Sequence, residues 1–160
     1  MHIALSDLSE PDVVALLEYH QREMSEVSPP GTSFALDLAG LRQAEVEVLA
    51  ARGEVGRLLA VGALKRHADF AELKSMRAHP EARRTGAGRA MLSALIERAR
   101  AHGFSTVRLE TGSGPVFEPA LALYASFGFR PCSAFADYQP GEFNQLFALD
   151  IGPDAQDLPG

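Results

Sequence analysis

The chain has 160 residues, with 15 Lys and Arg, 21 Asp and Glu, one Cys and a net charge of −6. That length suits one domain able to bury its own core, and a single Cys excludes an intramolecular disulfide framework. The negative total argues against a nucleic-acid binder, which needs a broad basic surface, and no apolar run approaches the roughly 20 residues of a membrane-spanning helix.

The start, Met1 to Asp7, has neither the basic cluster nor the apolar run of a signal peptide, so a reducing cytoplasm is the expected setting. His2–Leu5 reads as a short strand. Ser9-Glu10-Pro11-Asp12 opens a helix, with Ser9 as the expected cap, Pro11 in the first turn and acids at the positive end of the dipole. Val13, Leu16, Leu17 and His20 recur at helical spacing until Ser28-Pro29-Pro30-Gly31 breaks the pattern. Phe34–Leu41 suggests a second short helix. Val46–Ala51 and Leu58–Leu64 read as strands joined by a turn at Gly53-Glu54-Val55-Gly56. Phe70–Ala78 is a third strand, followed by His79-Pro80. Gly86–His102 is a helix whose apolar stripe is Met91, Leu92, Leu95, Ile96 and Ala99, and Gly103 ends it. Thr106–Glu110 is a strand, Phe117–Phe127 a helix stopped by Gly128, and Phe129–Phe135 and Phe143–Asp150 are two more strands. The order β-α-α-β-β-β-α-β-α-β-β predicts one α/β domain (an α+β mixed sheet) over residues 1–152, with a loose tail at 153–160.

Charge is unevenly spread. Residues 74–108 hold eight basic residues (Lys74, Arg77, Arg83, Arg84, Arg89, Arg98, Arg100, Arg108) against Glu81 and Glu97, a balance of +6. The remainder holds seven basic and nineteen acidic residues, −12. A local basic window in an acidic chain suits a small anionic ligand. A solvated helix face rich in Arg is the plain alternative.

Inside this window a strand leads through a turn into Arg83-Arg84-Thr85-Gly86-Ala87-Gly88-Arg89 at a helix start. Free amides there form an anion site, and Gly86 and Gly88 let a phosphate approach the backbone. The P-loop pattern is absent. The dinucleotide-binding pattern fails at its third glycine, where Met91 stands, so an oxidoreductase is disfavoured. The pattern [RQ]-x-x-G-x-[GA] fits.

With that motif the chain resembles the GNAT N-acetyltransferase superfamily over nearly its whole length. It is similar in particular to a bacterial YsnE-like subgroup, through Ser28-Pro29-Pro30, Lys74-Ser75-Met76-Arg77, Leu109-Glu110-Thr111-Gly112-Ser113 and Pro131-Cys132-Ser133-Ala134-Phe135-Ala136-Asp137-Tyr138. The resemblance implies the acyl-CoA N-acyltransferase fold, with acetyl-CoA as cosubstrate and no metal. Arg83, Arg84, Thr85, Gly86, Ala87, Gly88 and Arg89 would hold the pyrophosphate. The main chains of Met76 and Ala78 would pair with the pantetheine arm, in a gap where the strands Phe70–Ala78 and Thr106–Glu110 splay apart. Tyr124 matches the tyrosine that protonates the leaving thiolate. Many members carry Asn seven residues before that tyrosine; this chain has Phe117, so that pantetheine contact must be lost or replaced.

The implied reaction is direct attack of a small-molecule amine on the thioester in a ternary complex. The Met76 amide would stabilise the oxyanion and Tyr124 would act as general acid. Glu72 and Glu110, on the strands bordering the gap, are the candidate bases; each is equally readable as a surface carboxylate. Ser28 and Pro29, with Arg77, Asp137 and Tyr138, are candidates for the acceptor side. Cys132 lacks a His–Asp pattern for a ping-pong route and reads as a small packing residue. The five His have no ligand spacing. Other readings are a non-catalytic acyl-CoA sensor and a protein or peptide N-acetyltransferase. No membrane partner is implied, and a homodimer is compatible with the family.

Overall fold

A computed structural model describes residues 1–138 and 141–152; the tail expected at 153–160 lies outside the described residues. The elements are β1 (His2–Ser6), α1 (Pro11–Val27), α2 (Leu38–Leu41), β2 (Val46–Arg52), β3 (Leu58–Arg66), β4 (Ala71–Ala78), α3 (Ala87–Ala101), β5 (Thr106–Thr111), α4 (Glu118–Phe127), β6 (Arg130–Pro131) and β7 (Gln145–Asp150). Short 3-10 turns lie at Glu54–Gly56, Pro80–Ala82 and Pro115–Phe117. The order of helices and strands is the one expected from the sequence. All seven strands join one sheet, β1-β2-β3-β4-β5-β7-β6. Among the described residues only the β4–β5 pair is parallel.

Period-two alternation sends side chains of each strand to opposite faces. In β2, Val48 and Ala50 meet Val13, Leu16 and Leu17 of α1 and Leu41 of α2 on one face. Leu49 and Ala51 meet Met91, Leu92 and Leu95 of α3 on the other, where Tyr124 of α4 also packs. A small third cluster gathers Phe135, Tyr138 and Leu146. Gly62 lets α3 press on β3: a Cβ there would lie 2.8 Å from Leu95 Cδ1 and 3.0 Å from Met91 Cγ. Among the described residues no helix is long and apolar enough to cross a membrane.

Three local expectations change. Ser9 does not cap α1. Its amide and hydroxyl both donate to Asp7 at 3.0 and 2.5 Å, which turns it away, and Glu10 occupies the cap position. The second helix is only Leu38–Leu41, because the Asp37 carboxylate accepts from the Gly40 amide at 2.8 Å and sets its start. The strand expected over Phe129–Phe135 shortens to Arg130–Pro131. Pro131 has no N–H for the ladder, and the chain then turns Phe135 and Tyr138 inward.

Strand β4 is irregular along both of its edges. Val61 pairs with Arg77 and Ala63 with Lys74, so Ser75 and Met76 together oppose Gly62 in a bulge. Ser75 sits there at φ +52, a left-handed conformation uncommon for Ser, and its buried hydroxyl has no hydrogen-bond partner among the described residues. On the other side, β4 pairs with β5 only at Ala71–Val107 and Glu72–Arg108. Beyond Glu72 the two strands part.

Candidate active site

The opening between β4 and β5 is bordered at one end by the turn that starts α3. The 3-10 turn Pro80–Ala82 is capped by His79, whose Nδ1 accepts from the Glu81 amide at 3.2 Å. Arg84 at φ +65 and Gly86 at φ +83 then swing the chain into α3. Gly86 contributes no side-chain cap. The amides of Ala87, Gly88 and Arg89 have no acceptor among the described residues. A Cβ at Gly86 would meet nothing within 4 Å, and one at Gly88 would meet only Leu123 Cδ2 at 3.8 Å, so open space faces this backbone. Uncapped amides, the positive end of a 15-residue helix and that space fit a phosphate.

The arginines here differ in what they do. Arg83 and Arg84 are exposed and pair with no carboxylate among the described residues. Arg89 is drawn to α4, donating to Ser126 Oγ at 3.0 Å with its guanidinium 5.1 Å from the Phe127 ring centre. Thr85 closes the turn, its hydroxyl donating to the Ala82 carbonyl at 2.5 Å. Met76 packs partly against the α3-side core, and Ala78 ends the open edge of β4. Phe117 is buried, edge-on to Phe143 at 5.5 Å. The two rings lie over Gly112, where a Cβ would come within 2.6 Å of Phe117 and 2.5 Å of Phe143.

Tyr124 is buried beside Phe129, with ring centres 5.7 Å apart. Its hydroxyl makes no hydrogen bond among the described residues. Burial, reinforced by the Glu110 carboxylate, pushes its pKa up to about 12. Glu110 is half-buried, and desolvation raises its carboxyl above the usual range. Asn144 Nδ2 donates to its Oε2 at 2.8 Å. Its Oε1 accepts from no donor among the described residues.

Glu72 differs. It is 2% exposed, and both of its oxygens are taken. Oε1 meets His67 Nε2 at 2.9 Å, and Oε2 accepts from the Tyr138 hydroxyl and lies 3.5 Å from Lys74 Nζ. Lys74 also donates to the Tyr138 hydroxyl at 2.6 Å and to the Phe34 carbonyl at 3.1 Å. Tyr138 is thus a buried strut; burial first, then Glu72, raises its pKa. Asp137 beside it is exposed.

Arg77 turns to α1. Its Nε donates to His20 Nδ1 at 3.0 Å and it pairs with Glu23 at 2.8 Å, with its guanidinium 5.4 Å from the Tyr19 ring centre. Burial and then the Arg77 charge lower the His20 pKa to about 4, so the ring is neutral. Ser28 ends α1 in an extended conformation and Pro29 is exposed in the loop after it. Asn144, His67 and Thr32 escape sequence reading: the Asn144 partners lie 34 and 112 residues away, and no spacing rule reaches that far. Among the described residues no cluster of His, Cys, Asp and Glu is arranged to hold a metal ion.

The profile of the acetyltransferase (GNAT) family matches residues 13–129. The chain is 42% identical over 142 residues to the uncharacterised N-acetyltransferase YsnE of Bacillus subtilis, covering 86% of this chain and 91% of that protein. It is 36% identical over 151 residues to the uncharacterised N-acetyltransferase YedL of Escherichia coli, covering 93% and 94%. The crystal structure of a "putative acyl-CoA N-acyltransferase" from Klebsiella pneumoniae superposes with a TM-score of 0.78 at 28% identity, covering 94% of this chain and 97% of that one.

Proposed function

The chain belongs to the acetyltransferase (GNAT) family and is an acetyl-CoA-dependent N-acetyltransferase, and on that premise we propose that it acetylates the amine of a small molecule by direct attack in a ternary complex. When bound, acetyl-CoA supplies an acyl thioester whose carbonyl the amine attacks. The amides of Ala87 to Arg89 and the side chains of Arg83 and Arg84 bind its phosphates. The exposed edge of β4, Met76 to Ala78, orients the arm, and the Met76 amide donates to the carbonyl oxygen as charge builds on it. Phe117 and Phe143 close that side with apolar surface in place of an amide side chain.

Tyr124 is the acid. A phenol with a pKa near 12 stays protonated at neutral pH and gives its proton to the departing sulfur. Glu110 is the base. It keeps one carboxylate oxygen free, and its raised pKa brings it closer to the operating pH. Glu72, fully engaged by His67, Tyr138 and Lys74, holds the wall instead.

The observation that carries this reading is the parting of β4 and β5 after Glu72, with uncapped helix amides at one end and, on β5, Glu110 held through one carboxylate oxygen by Asn144. A small acceptor is favoured because the acceptor side is roofed. Lys74 and Asn144 tie the 32–34 segment down through the carbonyls of Phe34 and Thr32, and Phe34 packs edge-on to Tyr138 at 5.1 Å. On this reading Ser28, Pro29 and Asp137 would rim the entrance.

The test is incubation with acetyl-CoA and a panel of small amines, following free thiol and product mass. An amine that releases thiol and gains one acetyl group supports the proposal. Coenzyme binding with no thiol release above the amine-free blank would make the protein a sensor. Turnover confined to peptide amines would overturn the small-acceptor part.

A further inference from the structure

Asn144 stands in the turn just ahead of β7 and joins two segments far apart in the chain. Its Nδ2 donates to Glu110 Oε2 at 2.8 Å and to the Thr32 carbonyl at 3.0 Å. Carboxylate and carbonyl both accept, so the carboxamide nitrogen is the atom that faces them, one hydrogen to each. The Thr32 end is a preformed unit: its amide and hydroxyl both donate to the Pro29 carbonyl, at 3.0 and 2.6 Å. One neutral side chain therefore pins the acceptor-side turn to β5 and holds one oxygen of Glu110, leaving the other free.

We propose that Asn144 is a positioning residue for acetyl transfer, aiming the Glu110 carboxylate at the acceptor amine and fixing the Pro29–Thr32 turn at a set distance from it. This rests on the reading of Glu110 as the base. The chemistry of the donor suits the task. A half-buried carboxylate is kept oriented by a donor, yet a cation at that point would lower its basicity. An amide orients it without cancelling the charge. The other ionisable groups acting on Glu110 are Glu72 and Lys74 of β4, Tyr124 of α4 and Tyr138. Lys74 is already committed to Tyr138, Phe34 and Glu72.

The experiment follows the Glu110 side-chain carbon by NMR in protein labelled at glutamate carboxyls, titrated with pH, with Glu110→Gln to assign the signal. In Asn144→Ala the midpoint rises by about half to one pH unit, and in Asn144→Asp it rises further, because two carboxylates then share the site. A residue that merely packs would not produce that order. Amide exchange at Gly31 to Leu36 quickens in both. Thiol release from acetyl-CoA with the small-amine panel falls about tenfold or more, its acid limb displaced upward. Calorimetric CoA binding verifies that each variant is folded. Midpoints unmoved in both Asn144 variants, with Glu110→Gln inactive, overturn the role of Asn144 alone. Glu110→Gln at full activity with an unchanged acid limb overturns the base assignment, and this proposal with it.

Discussion

Tyr124 and His20 show burial acting on single residues in opposite ways. For Tyr124 it keeps the phenol protonated, as the proposed acid role requires. Tyr124→Phe retains the ring packing against Phe129 and removes only the hydroxyl, so CoA binding should stay within about twofold while kcat falls on the order of 100-fold. Calorimetry and single-turnover thiol release separate the two, and a kcat near wild type would reject the acid role. For His20, burial keeps a proton off. Its pKa falls from the ordinary 6.5 to about 4 in the folded chain. Between those values the unfolded chain binds the extra proton, so stability is lost as pH falls from about 6.5 toward 4. The loss is on the order of 3 kcal/mol at most across that window. Urea unfolding at pH 7.5 and 4.5 should show a smaller acid loss in His20→Gln than in wild type, and equal losses would reject the assignment.

At the scale of elements, α3 rests on two glycines used for different reasons. Gly62 makes room for Leu95 and Met91, so Gly62→Ala overpacks the core at a cost of about 1–3 kcal/mol, readable as a lower Tm. Gly88 faces open space with only Leu123 at 3.8 Å. Gly88→Ala should therefore hold or raise Tm, since Ala is the better helix former, while raising the KM for acetyl-CoA severalfold. A Tm drop with unchanged KM would mean that Gly88 serves the fold alone. The contrast also marks what was legible in advance. Residues 86–89 carry their message locally, in a short run of Gly and Arg, and the helices and long strands announce themselves by period. The parting of β4 from β5 and the bulge at Ser75–Met76 depend on which strands become neighbours, and nothing local in Lys74-Ser75-Met76-Arg77 encodes the bulge. The Glu72–Lys74–Tyr138 group and Asn144 are invisible for the same reason, because their partners come from distant turns. Glu72 and Glu110 look alike as sequence, and only the tertiary partners separate a fully bonded carboxylate from one with a free oxygen.

For the molecule as a whole, the +6 window over residues 74–108 is not a uniform basic surface. Lys74 is held by Glu72 and Tyr138, Arg77 by Glu23, Arg98 by Glu47 and Arg100 by Glu97. Arg108 lies over the rings of Phe70 and Phe135 at 5.5 and 5.7 Å. Even Glu81, the acid nearest the turn, is taken by Arg57 at 2.8 Å. At the helix start the charge left without a carboxylate is that of Arg83, Arg84 and Arg89, beside the α3 amides, with Arg89 drawn toward Ser126 and Phe127. Because these charges are exposed, their pull on phosphate is screened by salt, whereas the amides and Gly backbone act at contact range. Raising ionic strength from about 0.05 to 0.5 M should weaken CoA binding severalfold while leaving a pantetheine fragment unaffected. In Arg83→Ala/Arg84→Ala, CoA binds more weakly at low salt and approaches wild type at high salt. Arg98→Ala/Arg100→Ala, which removes the same formal charge from paired positions, should lower Tm and leave the salt slope of CoA binding intact. Equal slopes for the two double variants would show that net charge, rather than Arg83 and Arg84 at the helix start, draws the coenzyme in.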